Sequence, residues 1–256
     1  MSLASFTPAE VASFQQHGFF IARGLADTAL CQRILAAGQA QLAQAREPIE
    51  YEADTRYPGA PASRDAAGGR TARRLLQVFE RDAAFRDWAL SAPLAGRLKQ
   101  LLAGEQVALS QAHHNSLMTK QPAFSSVTHW HRDIRYWNFA NNNLVSVWLA
   151  LGKEHRENGC LGFLPGTHKM DMDVDRFENR AFLRPDLPEN QALIETAVFP
   201  ELEAGDVVFF HAMTFHAAGW NRVDQTKYSL VFTYHLQDNL AQPGSRSASL
   251  PSIPVA

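Results

Sequence analysis

The sequence predicts a mainly β protein with flanking helices, built on a β-sandwich or jelly-roll core. Two observations carry this reading. Helical patterns are confined to about residues 1–104, and short strand-like runs joined by irregular, partly charged connections fill about 105–236. With 256 residues and 46% hydrophobic content the chain can bury one large core, so a single domain over 1–256 is expected. The N-terminal helices should pack on one outer face, and residues 237–256, rich in Ser and Pro, should form an irregular tail.

The elements follow in order. Thr7-Pro8-Ala9-Glu10 places a hydroxyl at the N-cap, proline at the first helical position and glutamate at the third. Phe6 and Val11 are spaced as a hydrophobic staple and Gly18 supplies a stop, so a helix is expected over 8–17. Phe19-Phe20-Ile21 reads as a short strand. Asp27 can cap a second helix to about residue 45, with Leu30, Ile34 and Leu35 on one face. Prolines and glycines interrupt 46–70, a segment long enough to serve as an active-site lid. Helical spacing returns at 71–87, where Arg73 and Arg74 read as a solvated helix face, and at 93–103. Strands are expected over 106–120, 144–151, 159–165, 205–211 and 228–236, with irregular connections around 168–195. In the last strand Leu230, Phe232, Tyr234 and Leu236 alternate with Val231, Thr233 and His235, as suits a sheet with two distinct faces.

Bulk numbers exclude several classes of function. A net charge of −2 provides no general attraction to nucleic acid or anionic membrane. Two cysteines far apart, Cys31 and Cys160, do not make a disulfide framework or a thiolate zinc site. No stretch approaches the roughly 18 apolar residues of a membrane span, and the N-terminus lacks a secretion-signal pattern, so a soluble cytoplasmic protein is expected.

The chemistry concentrates at Val127-Thr-His-Trp-His-Arg-Asp133. Run as a strand, it points His131 and Asp133 to the same face. A third ligand must come from elsewhere, and the apolar run from Gly205 ends in two histidines, His211 and His216, the second lying 83 residues beyond Asp133. His131, Asp133 and His216 would form a 2-His-1-carboxylate set holding one face of an octahedral ferrous ion and leaving three positions open. His129 shares the face of His131 and His211 competes with His216. His113 and His114, being adjacent, point to opposite faces, so one of them can line a pocket.

Trp130-His-Arg-Asp133, Trp148, Glu157-Asn-Gly-Cys-Leu-Gly-Phe-Leu-Pro-Gly-Thr-His168, Gly205-Asp206 and His216-Ala-Ala-Gly-Trp-Asn221 resemble the phytanoyl-CoA dioxygenase family in order and spacing, as does Phe14-Xaa-Xaa-Xaa-Gly-Phe-Phe20. The resemblance covers roughly residues 5–236. It implies a double-stranded β-helix, a non-haem ferrous iron and 2-oxoglutarate and dioxygen as cosubstrates. The implied outcome is hydroxylation of a C–H bond in a small organic substrate, with decarboxylation of 2-oxoglutarate to succinate. It favours His216 over His211 as the distal ligand. Where the family has an arginine for the far carboxylate of 2-oxoglutarate, this chain has Lys227, a compact charge in place of a planar fork. Arg222 is the other candidate cation, and Lys120 and Trp148 are candidate pocket residues. Ala218 stands where a serine is frequent. Arg135, Tyr136 and Trp137 follow the metal strand where substrate should lie, and Arg135 could pair with an anionic group. Asp133 fills a position that related halogenases leave to a small residue, which favours hydroxylation. Desaturation, epimerisation or cyclisation at the same iron remain open, as does a non-catalytic metal-binding β-barrel.

Overall fold

The computed structural model describes residues 5–55, 57–179 and 181–256. The chain runs through α1 (Pro8–His17), β1 (Phe19–Ala22), α2 (Thr28–Ala43), β2 (Ile49–Tyr51), β3 (Ala72–Leu76), α3 (Ala83–Ala89) and α4 (Ala92–Leu102). It continues with β4 (Val107–Ser110), β5 (Ser116–Lys120), β6 (Thr128–His131), β7 (Leu144–Ala150), β8 (Leu161–Phe163), β9 (Phe177–Glu178) and β10 (Phe182–Leu183). After α5 (Pro188–Glu195) come β11 (Val207–His211), β12 (His216–Ala218), β13 (Lys227–Leu236) and β14 (Ile253–Val255).

Two antiparallel sheets face each other as a jelly roll. The larger is ordered β1-β11-β7-β13-β5-β3-β2, with β4 pairing both β13 and β14; the smaller is β8-β12-β6-β10-β9. Strand alternation decides which side chain goes where. Along β13, Leu230, Phe232 and Tyr234 join the core beneath α1–α4, together with Val145, Val147 and Leu149 of β7. The intervening Val231 of β13 and Trp148 and Ala150 of β7 turn to the second core, between the sheets. The helices therefore cover one face of the large sheet, and the other face, which includes Lys227, is left for a site.

The caps form as expected. Thr7 accepts from the Glu10 amide, the Glu10 carboxylate accepts from the Thr7 amide at 2.7 Å, and Gly18 closes α1 at φ +80°. Asp27 caps α2 through the Leu30 amide. The buried stripe of α2 is Cys31, Ile34, Gly38 and Gln41, so the expected face is rotated and Leu35 lies outside it. Gly38 is required there, since a Cβ would come within 2.3 Å of Leu117 Cδ2.

Several sequence expectations are corrected. Residues 71–87 do not form one helix: Ala72–Leu76 is the strand β3, paired with β2 and β5. Gln77, at φ 55°, then turns the chain toward α3. The helix-forming run is overridden because Arg73 and Arg74 find carboxylate partners on and beside β2, a tertiary gain that local propensity does not register. Residues 106–120 form two strands, β4 and β5, not one. The 46–70 segment is partly regular, with β2 and a 3-10 turn at Glu52–Asp54. The region 168–195 contains β9, β10 and α5. The tail is also ordered, because β14 pairs with β4 and a 3-10 turn forms at Arg246–Ala248.

Candidate metal centre

His131 ends β6 and His216 begins β12, and the two are direct partners in the antiparallel ladder. That register sets their rings 4.2 Å apart between centroids. Asp133 lies past the strand end, contrary to the expected continuous strand. It opens a 3-10 turn, Asp133–Tyr136, fastened by the Ile134 amide donating to Ala212 O at 3.2 Å. The turn brings Asp133 Oδ1 to 3.7 Å from His131 Nε2 and 3.6 Å from His216 Nε2. All three side chains are buried, and one ligand atom from each lies within 4.8 Å of the others.

The donor set fits a divalent ion. His131 Nδ1 lies 2.8 Å from His129 O and His216 Nδ1 lies 3.1 Å from Thr214 O. A carbonyl only accepts, so each ring carries its proton on Nδ1 and turns an unprotonated Nε2 to the centre. Burial pushes His131 well below the usual imidazole range, which keeps it neutral. Asp133 Oδ2 is buried and meets no hydrogen-bond donor among the described residues. Two bare imidazole nitrogens around an unsatisfied carboxylate are costly without a cation and favourable with one.

A cavity between the sheets runs from this cluster to a pair of lysines on the opposite sheet. Lys120 and Lys227 are partners across β5 and β13, and both are buried. Lys227 Nζ lies 3.2 Å from Glu154 Oε2, 3.1 Å from Ser229 Oγ and 5.0 Å from the centroid of Trp148. Glu154, fully buried, also accepts from Trp148 Nε1 at 3.0 Å and Ser229 Oγ at 2.6 Å. Lys120 Nζ, by contrast, donates to a neutral carbonyl, Ser126 O, at 2.8 Å. Burial, with Arg73 and Lys227 nearby, lowers Lys120 to about 7. Gly159, at φ +73°, lies against Lys120: a Cβ there would stand 2.6 Å from Lys120 Cε.

Arg73 and Arg74 were expected on a solvated helix and instead line the cavity. Arg73 is buried, donating to Ser126 Oγ at 2.6 Å and Thr128 Oγ1 at 3.0 Å, with Glu50 and Glu52 as its counter-charges. His114 also lines the cavity, its Nε2 3.4 Å from Asp133 Oδ1, whereas His113 is tied to Ser247 Oγ at 2.7 Å. The adjacency of the two histidines signalled that one would face inward but not which. His211 is held outside by the Met213 amide, and His129 and Arg222 line a separate groove. Arg222 is exposed and is not brought to the cluster. Arg135 donates to Ala181 O and to the Tyr136 hydroxyl and lies over the Phe182 ring at 4.0 Å. Tyr136 and Trp137 line a second chamber that opens onto His131 and Asp133.

A jelly roll with two histidines and a carboxylate converging between its sheets defines a class of non-haem metal-site proteins. This chain belongs to the phytanoyl-CoA dioxygenase (PhyH) family, whose model matches residues 14–229. It is 35% identical to human peroxisomal phytanoyl-CoA dioxygenase over 122 residues, 43% of this chain and 35% of that protein. It is 24% identical to an ectoine dioxygenase of Streptomyces anulatus over 187 residues, 66% of this chain and 61% of that protein. The chain thus spans about a third of the length of the human relative. The epimerase SnoN, solved with Fe3+, alpha-ketoglutarate and nogalamycin RO, shares the fold at TM-score 0.75 and 22% identity, covering 95% of this chain and 89% of that one. EctD from S. alaskensis, solved with 2-oxoglutarate and 5-hydroxyectoine, does so at TM-score 0.75 and 18% identity, covering 96% and 82%. No helix among the described residues is long and apolar enough to cross a membrane.

Proposed function

We propose that the chain is a ferrous, 2-oxoglutarate-dependent dioxygenase that hydroxylates a C–H bond of a small molecule, working as one catalytic unit. The observation that carries this reading is the bare Nε2–Oδ–Nε2 triangle of His131, Asp133 and His216 at one end of a buried cavity with two lysines at the other. The three residues would hold ferrous iron on one face, and bound iron supplies dioxygen activation coupled to oxidation of the keto acid. The chain's own part is positioning. His129 O and Thr214 O fix the imidazole orientations, and the lysines of the large sheet fix the far end of the keto acid.

Lys227 is already neutralised by Glu154, so the far carboxylate draws its main charge from Lys120, with Lys227 and Trp148 shaping the wall behind it. The pH dependence follows from the residues facing Lys120. Arg73 and Lys227 disfavour its charged form and Glu52 favours it. Above pH about 7 free Lys120 is losing its proton, and an incoming carboxylate restores it. Binding of 2-oxoglutarate should therefore take up close to one proton above pH about 7, and affinity should fall by up to about tenfold per pH unit as pH rises. Calorimetry in buffers of different ionisation enthalpy measures this. Proton-neutral binding at pH 8 would remove Lys120 from that role.

The function itself is tested by anaerobic titration of the ferrous protein with 2-oxoglutarate, followed by admission of dioxygen. A saturable visible charge-transfer band and succinate formation are expected. Iron occupancy with neither band nor succinate would leave a metal-binding β-barrel without catalysis.

A further inference from the structure

The chamber beyond the metal cluster carries information about the substrate. It has a volume of about 480 Å³, within the range of small-molecule sites, and shares Arg74, His114, His131 and Asp133 with the buried cavity, while Lys120 and Lys227 line that cavity alone. Its walls are mixed: Tyr57, Tyr136, Trp137 and Phe182 supply rings, and Glu50, Asp54, Arg74 and Arg246 supply charge.

The charges do not cancel. Asp54 is taken by Arg64, which reaches it through two bonds of 2.7 and 2.8 Å. Glu50 is shared between Arg73 Nε at 3.3 Å and Arg74 Nε at 3.4 Å, with Glu52 as the second acid of that group. Arg73 and Arg74 thus balance Glu50 and Glu52. Arg74 Nε is nevertheless buried without a hydrogen-bond acceptor. Arg246 is left over: its guanidinium has no ion-pair or hydrogen-bond partner among the described residues, yet it lines the chamber.

Its placement is built. Ser247, the next residue, is buried and accepts from the Asn138 amide at 2.8 Å, and it also bonds His113 Nε2. Downstream, β14 is stitched to β4. The C-terminal segment is thereby held beside the chamber, with the exposed Arg246 at its edge. Arg135, the arginine that the sequence offers for this task, is occupied by Ala181 O and by two aromatic rings.

We propose that the substrate is a small carboxylate-bearing molecule whose anionic group is bound by Arg246, with Arg74 deeper in the chamber and the aromatic walls enclosing its hydrocarbon part. This specificity reading rests on the dioxygenase reading above. A guanidinium at the edge of a chamber can pair a carboxylate through two parallel bonds, whereas the matching amide gains neither the charge nor the fork. A long apolar chain would leave the polar wall groups unpaired, which disfavours it.

The test uses the full chain, anaerobic, with ferrous iron and saturating 2-oxoglutarate, so that the lysine end is filled. Linear and aromatic carboxylates of about four to ten carbons, each paired with its own primary amide, are titrated by calorimetry. At least one acid should bind about tenfold or more tightly than its amide. That preference should vanish in Arg246→Gln and persist in part in Arg246→Lys, while 2-oxoglutarate binding stays unchanged in both. An absence of carboxylate preference across the panel, or a preference that survives Arg246→Gln, overturns the proposal. Failure of the underlying dioxygenase reading is seen separately, as absence of 2-oxoglutarate binding to the wild-type ferrous protein before any panel compound is added.

Discussion

Asp133→Ala should lower ferrous-iron affinity by more than about 100-fold and raise the stability of the metal-free protein by about 1 kcal/mol or more. The first effect follows from losing one of three donors, a larger change than the loss of an outer partner that itself costs 10–100-fold. The second follows from the orphaned Oδ2, which is buried without a donor, and from the two Nε2 atoms that face Oδ1 with lone pairs at 3.6 and 3.7 Å. Without a cation these groups repel, so alanine relieves a cost that the fold otherwise carries. Competitive iron chelation measures the first effect and chemical denaturation of the metal-free proteins the second. Unchanged iron affinity would dissolve the triad as a ligand set. A metal-free variant destabilised by several kcal/mol would make Asp133 a structural hydrogen-bond acceptor instead.

Glu154→Ala should cost about 3–5 kcal/mol and lower the melting temperature by about 10 °C. Glu154 is fully buried and gives its two oxygens to Lys227, Ser229 and Trp148, so truncation leaves a buried ammonium with no counter-charge and an indole N–H with no acceptor. The companion expectation concerns the pair. Glu154→Leu combined with Lys227→Met should recover most of the loss, because two apolar groups need no partner. A double-mutant cycle by thermal denaturation decides the matter, and additive losses would mean that the two groups do not depend on each other.

Different parts of this picture are legible in the sequence to different degrees, for physical reasons. The start of α1 is written in four consecutive residues, because capping is a local exchange between a side chain and amides three positions away. The two faces of β13 are legible for the same reason, since alternation is local. His131 and Asp133 are legible as a pair from their spacing, although the strand stops at His131 and a 3-10 turn brings Asp133 back to the same centre. Arg73 and Arg74 stand in a run that has the spacing of a helix. What makes it a strand is a set of ion pairs to Glu50 and Glu52, more than twenty residues upstream. The pairing of Lys227 with Glu154 spans 73 positions and leaves no local pattern. The ordering of the C-terminal segment depends on β4, which lies well over a hundred residues earlier and offers its free edge.

The two ends of the buried cavity belong to different sheets. The histidines are neighbours within the small sheet and the lysines are neighbours within the large one. Metal alone would fasten adjacent strands that the ladder already holds together. A dicarboxylate reaching from the metal to Lys120 would act instead as a rivet through the sandwich, tying one sheet to the other at the point where only side chains meet. By reciprocity, whatever stiffens the gap between the sheets must also tighten the grip on that molecule. The helices on the far face of the large sheet, though they touch no ligand, would then help to set its affinity by fixing where that sheet stands.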